Sequence, residues 1–213
     1  NVNRVTGTIT SGFTTRRMTL LYLVRHGRAA AGWDTSLDPE LDDLGREQSA
    51  ATASRLAVLL QDTKWSVTDV DVVSSPLRRC QETADAYTQI TGQAARIEPR
   101  IAEIPSPAGV ALVDRTEWLR EVMAGTWAQV FATHGEVYRN FHSQLVQWAS
   151  AVRRDTIAFS HFIAINALIG AATGDDRVMF RSLDNASITT LHVDDDGTLT
   201  LVGGGAEADT LIR

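Results

Sequence analysis

The sequence predicts an α/β fold: a three-layer sandwich with a largely parallel central sheet, helices on both faces and a C-terminal antiparallel hairpin. From residue 20 onward, short apolar runs alternate with longer segments whose apolar residues recur every three or four positions. This alternation is typical of strands joined by crossover helices. Near the end, two strand-like runs flank three aspartates and Gly197, and a glycine at such a tip favours a hairpin.

The first half of the chain predicts two strands and two helices. Residues 20–24 and 70–73 are apolar runs too short for helices. Between them, residues 44–60 have a helical period. The predicted apolar face of that helix consists of Leu44, Leu56, Ala57, Leu59 and Leu60. A second helix opens at Pro76, a residue favoured in the first turn, and ends before Gly92.

The second half predicts two more helices, one buried strand and the hairpin. Residues 136–152 have a helical period, 156–159 form a strand, and 162–172 form a mostly buried helix. Residues 188–193 and 198–202 form the two arms of the hairpin. The aspartates at its tip are explained by turn chemistry without any metal ion.

The length of 213 residues predicts one domain over residues 18–213, since a domain takes about 150 residues. Residues 104–135, which include Pro105, Pro107, Gly109 and Gly125, are the least regular stretch. We expect this stretch, called the cap segment below, to be an insertion that covers a site. Residues 1–17 are rich in Thr and Gly and lack the apolar run of a secretory signal. They are expected to be a disordered or vector-derived leader.

Composition excludes several classes of protein. The chain is 44% hydrophobic and 22% charged, which is typical of a globular domain. The longest nearly apolar stretch, residues 162–172, is shorter than the roughly 20 residues of a membrane-spanning helix. A net charge of −6 argues against a general nucleic-acid binder. Cys80 is the single cysteine, so no intrachain disulfide forms, and this fits a cytoplasmic protein.

Polar and basic side chains follow three predicted strands at the point where each strand ends. Arg25 and His26 follow the first, Arg78 and Arg79 come soon after the second, and His161 closely follows the third. Ligands of open α/β sheets bind outside the carboxyl ends of the strands. Arginines, histidines and helix N-termini at one edge together predict a site for an oxyanion, with phosphate as the favoured one.

Several motifs in order resemble the histidine phosphatase superfamily, which includes the cofactor-dependent phosphoglycerate mutases. They are Leu-Val-Arg-His-Gly at 23–27, Asp-Pro-Glu-Leu-Asp-Asp-Leu-Gly at 38–45, Ser-Pro-Leu-Arg-Arg-Cys-Gln-Glu-Thr-Ala at 75–84, Phe-Ser-His at 159–161 and Asp-Asn-Ala-Ser-Ile-Thr at 184–189. The resemblance covers nearly everything from residue 20 to the end. It implies the same α/β sandwich that the alternation predicts.

The resemblance also implies roles for the residues at the strand ends. It implies that His26 is the nucleophile that becomes phosphorylated, and that Arg25, Arg79 and His161 hold the phosphoryl oxygens, His161 also counting among the catalytic residues. Arg79 is favoured over Arg78 because the family's arginine follows a leucine by two positions. A deprotonated imidazole is a competent nucleophile, and a backbone carbonyl could fix its tautomer. Arginine forks neutralise phosphoryl charge without a metal ion.

The proton donor of this family lies after the third strand, and the segment Ile-Ala-Glu-Ile at 101–104 fits that place. The resemblance therefore makes Glu103 the candidate general acid, and a carboxylic acid can protonate a leaving alkoxide. If Glu103 only caps or solvates its loop, Glu117 and Glu121 are the next candidates.

The chain departs from the family pattern at four places. Arg28 follows the first motif where an acidic or amide residue is common, and Ala-Gly-Trp-Asp at 31–34, which ends in Asp34, replaces a phosphate-binding asparagine. Phe162 stands where a glycine often follows the second histidine, and Ile-Pro-Ser-Pro follows Glu103. These changes concern the substrate and the acid and leave the nucleophile untouched.

These observations predict a hydrolase: a metal-independent phosphatase that acts on a small phosphorylated metabolite through phosphohistidine and needs no cofactor. A phosphoglycerate-mutase-like phosphotransferase and a non-catalytic module that binds a phospho-ligand stay open as alternatives. His134 and His142 would lie about 12 Å apart on one helix, too far to share a metal ion, and His192 is expected to be structural. The sequence does not define the oligomeric state and leaves a homodimer open.

Overall fold

A computed structural model describes residues 19–61 and 70–203; the predicted leader, residues 1–17, lies outside these described residues. Within them the elements follow in the order β1 (Thr19–Arg25), α1 (Asp43–Gln61), β2 (Asp71–Ser74), α2 (Arg78–Thr91), β3 (Arg96–Ile97), α3 (Arg115–Ala124), α4 (Trp127–His134), α5 (Glu136–Ser150), β4 (Thr156–Ser160), α6 (Phe162–Thr173), β5 (Ile188–Val193) and β6 (Leu199–Gly203). Short 3₁₀ turns occupy Pro99–Ile101 and Leu112–Asp114.

The strands form one mixed sheet in the order β3-β2-β4-β1-β5-β6. The first four strands along the chain, β1 to β4, pair in parallel, whereas β5 runs antiparallel to β1 and β6 antiparallel to β5. Val24 of β1 lies opposite Phe159 of β4 and Ile188 of β5. The predicted largely parallel sheet with a terminal hairpin is confirmed.

Helices cover both faces of the sheet. Successive strand residues point to opposite faces, and in β1 Leu21 and Leu23 join a core cluster with residues of α3 to α6. Tyr22 and Val24 join a second cluster with residues of α1 and α2. The three predicted layers are therefore present.

The buried face of α1 differs from the predicted one. Leu44 and Leu59 are 40% and 46% exposed, although the sequence placed them on the apolar face. Ser49 and Thr52 face inward instead, where their hydroxyls donate to the carbonyl oxygens of Gly45 and Ala186. These hydrogen bonds satisfy polar side chains that hydrophobic periodicity alone would turn to solvent.

The second helix starts and stops close to its predicted ends. It begins at Arg78 with Leu77 at its N-cap, so Pro76 lies just outside it. It ends at Gly92, whose φ of 73° is the left-handed conformation that favours glycine, and the Gly92 amide donates to the Thr88 carbonyl.

The cap segment is more regular than predicted, because it contains α3 and α4. Trp118 and Leu119 of α3 and Trp127 of α4 are buried in the larger core cluster. A capping box joins Thr126 and Gln129, which accounts for the start of α4. The prolines and glycines hid this helical signal at the level of sequence, while the covering role of the segment stays a prediction.

The hairpin turns where the sequence placed it. Gly197 has a φ of 89° and its amide donates to the Asp194 carbonyl. By contrast, β3 escaped prediction because it is a two-residue edge strand with exposed side chains. No helix in the described ranges has both the length and the apolarity that crossing a bilayer requires.

Candidate active site

The parallel strands β1, β2 and β4 end at the same edge of the sheet, and their following residues meet there. The Ser75 amide donates to the Phe159 carbonyl, and the His26 amide donates to the Ser160 carbonyl, so backbone hydrogen bonds fix the three strand ends together. A cavity of about 570 Å³ opens at this edge. Its lining includes the polar side chains of Arg25, His26, Arg79, Glu103, Arg115 and Asn185.

His26 presents one unprotonated ring nitrogen to this site. Its Nδ1 lies 2.7 Å from the carbonyl oxygen of Gly27. Because a carbonyl can only accept, Nδ1 carries the proton and Nε2 carries the lone pair. The Nε of Arg79 donates to that Nε2 over 3.2 Å. The expected backbone carbonyl therefore holds the tautomer in which Nε2 is able to attack.

Two buried arginines flank the nucleophile. Arg25 donates through Nη1 to the Leu183 carbonyl, and its guanidinium lies 4.9 Å from the centre of the Phe162 ring. Burial, partly offset by Glu103, lowers the pKa of Arg25 to about 10, so the group stays charged at neutral pH. Arg79 is also buried. Both side chains therefore place positive charge beside His26.

The neighbouring arginine, Arg78, is outside this arrangement. It is exposed on the first turn of α2 and pairs with Glu40 and Glu82. The sequence favoured Arg79 over Arg78 as the site residue, and these positions agree with that choice.

His161 lies next to His26 but contacts the cavity only through Arg79. It is 0% exposed and is absent from the cavity lining, and the two histidine rings are 5.3 Å apart. The Nδ1 of His161 accepts from Arg79 Nη2 over 3.1 Å, and its Nε2 donates to Ser75 Oγ over 2.7 Å. In this geometry His161 orients Arg79, whereas the resemblance implied direct contact with phosphoryl oxygens.

Both histidines are neutral in this environment. Burial lowers the pKa of His26 well below 6.5, and the positive charges of Arg79 and Arg25 lower it further. The same causes, burial first, lower the pKa of His161. An uncharged imidazole is the form that acts as a nucleophile.

Glu103 lies at the N-terminus of α6. Its Oε1 accepts from the amides of Ile104 and Ala164, and its Oε2 accepts from the amide of Ile163. Burial raises the pKa of Glu103, against the opposing effect of these hydrogen bonds and of Arg79. The side chain lines the cavity, but its role as proton donor stays a prediction.

The alternative acids, Glu117 and Glu121, are exposed and lie outside the cavity lining. Asp42 does line the cavity, yet it accepts from Arg28 Nε and from the Gly45 amide. Glu103 is thus the lining carboxylate that is free of an arginine partner among the described residues.

The residues that depart from the family pattern occupy different places. Arg28 lines the cavity in its ion pair with Asp42. Phe162 also lines it, beneath the Arg25 guanidinium. Asp34 is exposed and accepts from the hydroxyl of Thr35, so the structure does not bring it to the site.

Sequence reasoning missed three side chains of the cavity. Asn185 donates to the His26 carbonyl, and its position was readable because an antiparallel β5 must start at the edge where β1 ends. Trp33 belongs to the segment 31–34, which the sequence marks only as a departure from the family pattern. Arg115 belongs to α3, whose approach to the strand edge no local pattern reveals.

The remaining histidines lie away from the cavity. His134 packs against Trp118 and Tyr138, and His142 packs against Trp127. His192 lies in β5. In the described part of the chain, no three residues among His, Cys, Asp and Glu are grouped so that they could hold a metal ion.

A neutral imidazole between two buried arginines, at the carboxyl edge of a parallel sheet, defines a site for a phosphoryl group or a similar oxyanion. Comparison with known proteins agrees with this class. The model of the histidine phosphatase superfamily (branch 1) matches residues 21–203. The chain belongs to this superfamily.

Individual proteins of known name share limited sequence identity with this chain. The glucosyl-3-phosphoglycerate phosphatase of Mycolicibacterium vanbaalenii is 36% identical over 91 residues, which cover 41% of this chain and 37% of that protein. The solved structure of mycobacterial hydrolase 1 is 23% identical with a TM-score of 0.65, covering 90% of this chain and all of that one. A mycobacterial glucosyl-3-phosphoglycerate phosphatase structure is 24% identical with a TM-score of 0.57, covering 83% and 91%. The two structures show a shared fold.

Proposed function

We propose that the protein is a metal-independent phosphatase that hydrolyses a small phosphorylated metabolite through a phosphohistidine at His26. The observation that carries this proposal is the proton-free Nε2 of His26, fixed by Gly27 and facing Arg79 in the cavity. Membership of a phosphatase superfamily supports it.

In the first step, Nε2 of His26 attacks phosphorus while the bond from phosphorus to the ester oxygen breaks. The guanidinium of Arg79 turns its donors from the imidazole to the phosphoryl oxygens, and Arg25 adds a second charge. Such positioning and charge stabilisation are most of what phosphoryl transfer requires. Glu103 gives its proton to the leaving oxygen, and the alcohol departs.

In the second step, a water molecule attacks the phosphorus of the phosphohistidine. Glu103, now ionised, takes a proton from that water while the bond from phosphorus to Nε2 breaks. The products are inorganic phosphate, neutral His26 and protonated Glu103, so the enzyme returns to its starting state. The amides at the start of α6 hold the carboxylate between the two steps.

The size and lining of the cavity support a small substrate. Its volume of about 570 Å³ falls within the range of small-molecule sites, roughly 300–1,000 Å³. Trp33 and Phe162 supply apolar surface beside the arginines. Two of the relatives are named glucosyl-3-phosphoglycerate phosphatases, and these names also point to a small phosphorylated substrate.

The test is a phosphoenzyme assay combined with a screen of phosphorylated metabolites. Incubation with substrate should give an acid-labile, base-stable phosphoenzyme on His26, and His26→Ala should abolish both the label and turnover. Arg78→Gln is the matched control, since Arg78 neighbours Arg79 but is exposed. Hydrolysis at a near wild-type rate by His26→Ala would contradict the mechanism. Exchange between phosphoglycerates would identify a mutase, and binding without turnover would identify a binding module.

Metal independence has its own test. The positive charges of Arg25 and Arg79 at the site are available to neutralise the phosphoryl group, so activity should survive EDTA. Vanadate, which mimics five-coordinate phosphorus, should inhibit. Loss of activity in chelator with recovery in Mg²⁺ would overturn this part of the proposal.

A further inference from the structure

Arg115 is a buried arginine that the mechanism above does not use. It is the first residue of α3 and is 7% exposed. Its side chain lines the same cavity as His26 and Arg79. It reaches this cavity from the cap segment, whereas Arg25 and Arg79 reach it from the strand edge.

The charge of Arg115 lacks a counter-charge in the part of the chain that the structure describes. Its Nε is buried without a hydrogen-bond partner, and no carboxylate contributes to its electrostatic environment. Burial lowers the pKa of Arg115, and the positive charge of Arg79 lowers it further. A nearly buried cation that faces another cation is costly unless an anion pairs with it.

The two carboxylates that line the cavity do not supply this anion. Asp42 accepts from Arg28 and from the Gly45 amide, and Glu103 accepts from three backbone amides. The contact that does hold Arg115 is the face of Trp33, whose ring centre lies 5.2 Å from the guanidinium carbon. Stacking on an aromatic face fixes the plane of a guanidinium and leaves its edge free for bidentate binding.

We propose that Arg115, stacked on Trp33, binds a second anionic group of the substrate, a carboxylate or a second phosphate ester. This inference rests on the proposed function, in which Arg25 and Arg79 hold the phosphoryl group that is transferred. Four arginines and two carboxylates line this cavity, and one arginine, Arg28, pairs with Asp42, which leaves an excess of positive charge in a chain whose net charge is −6. Such a concentration of positive charge selects substrates with more than one anionic group over simple monoesters.

Matched substrate pairs test the subsite. The first pair, 3-phosphoglycerate and glycerol 3-phosphate, differs by a carboxylate; the second pair, fructose 1,6-bisphosphate and fructose 6-phosphate, differs by a phosphate. The wild-type protein should prefer the doubly anionic member of at least one pair. Arg115→Gln should lower kcat/KM for that member by about 10- to 100-fold, the usual effect of removing a charge-assisted contact. Its effect on the partner substrate should stay below about 3-fold.

Two further variants keep the test decisive. Arg120→Gln, on the exposed side of the same helix, should leave both rates unchanged. Arg115→Lys keeps the charge and should recover part of the preference, which a purely structural role would not predict. A melting temperature for each variant separates misfolding from loss of binding.

Three outcomes would overturn the inference. They are a wild-type protein without preference in either pair, an unchanged rate in Arg115→Gln, and an equal loss on both members of a pair. The last would mean that Arg115 holds the transferred phosphoryl group. If the chain hydrolyses none of the four esters, the same ratios are measured as dissociation constants by calorimetry. Failure of the proposed function thus leaves the subsite test intact.

Discussion

A short series of hydrogen bonds between buried side chains ends at His26. Ser75 accepts from His161, His161 accepts from Arg79, and Arg79 donates to the lone pair of His26. Each of these hydrogen bonds fixes which atom donates and which atom accepts in the next one. These hydrogen bonds hold the Arg79 guanidinium in place. Under the proposed mechanism, its Nε can turn from the imidazole to a phosphoryl oxygen while its Nη2 still donates to His161.

Glu103 carries the first prediction at the residue scale. A general acid matters in proportion to the basicity of the leaving group, so Glu103→Gln should lower kcat on an alkyl phosphate by about 10²- to 10⁴-fold. On p-nitrophenyl phosphate the phenolate leaves readily, and the loss should be clearly smaller. Steady-state rates on the two esters measure the difference.

The control for Glu103→Gln is Glu117→Gln, which removes an exposed carboxylate of the cap segment. It should not affect either rate. Equal, small losses on both esters in Glu103→Gln would mean that this side chain only caps α6. Three backbone amides donate to the Glu103 carboxylate, and these hydrogen bonds are what such a capping role would require.

Site residues that closely follow a strand in the chain could be predicted from sequence, whereas Arg115, which a distant helix brings in, could not. His26 and Arg79 lie in or beside local motifs, and parallel strands bring their ends together by topology. The place of His161 behind Arg79 depends on rotamers that no motif records. Arg115 reaches the site because α3 packs on the core through Trp118 and Leu119, a contact between distant parts of the chain.

At the scale of elements, two glycines let the loop after β1 pass close to the start of α1. A Cβ on Gly45 would lie 2.1 Å from the Arg28 carbonyl oxygen, and a Cβ on Gly27 would lie 2.4 Å from the Gly45 oxygen. Real Cβ atoms do not come so close to backbone oxygens. This close approach sets the distance between the helix and the segment that carries His26.

Gly45→Ala should therefore destabilise the protein. Alanine favours a helix over glycine by up to about 1 kcal/mol, but overpacking against backbone costs about 1–3 kcal/mol, and the clash prevails. The free energy of unfolding, measured by urea titration, should fall, and kcat/KM should fall with it because the 26–28 loop shifts. Gly203→Ala is the control, since its Cβ would meet open space. A stability gain in Gly45→Ala would contradict the close approach.

Elements were predictable where hydrophobic periodicity dominates their packing. The four central strands and α6 are surrounded by apolar neighbours, so their pattern alone marks them. The prediction of the buried face of α1 was wrong because Ser49 and Thr52 are buried and hydrogen-bonded. Hydrophobic periodicity does not identify such residues. The helices of the cap segment were obscured by the glycine and proline count, although the capping box at Thr126 was readable in the sequence.

At the scale of the whole molecule, the same burial that keeps the imidazoles neutral makes stability depend on pH. Burial lowers the pKa of His26, His161 and His142 in the folded state. Between those values and the unfolded value near 6.5, the unfolded chain binds protons that the folded chain refuses. The contribution of these histidines to stability is therefore present well above pH 6.5 and is lost progressively as the pH falls through 6.5 towards their folded pKa values. Glu103, whose pKa is raised, acts in the opposite direction.

The last prediction follows from three histidines acting against one carboxyl group. The free energy of unfolding should fall between pH 7.5 and 5.5, with a slope of up to about 1.4 kcal/mol per pH unit for each histidine. Urea titrations at three pH values measure that slope. His161→Asn should make it shallower by close to one proton's contribution, whatever its effect on stability at pH 7.5. An unchanged slope in this variant would mean that the folded protein accepts a proton on His161, and the neutral imidazole assigned to His26, which shares Arg79 with it, would lose its support.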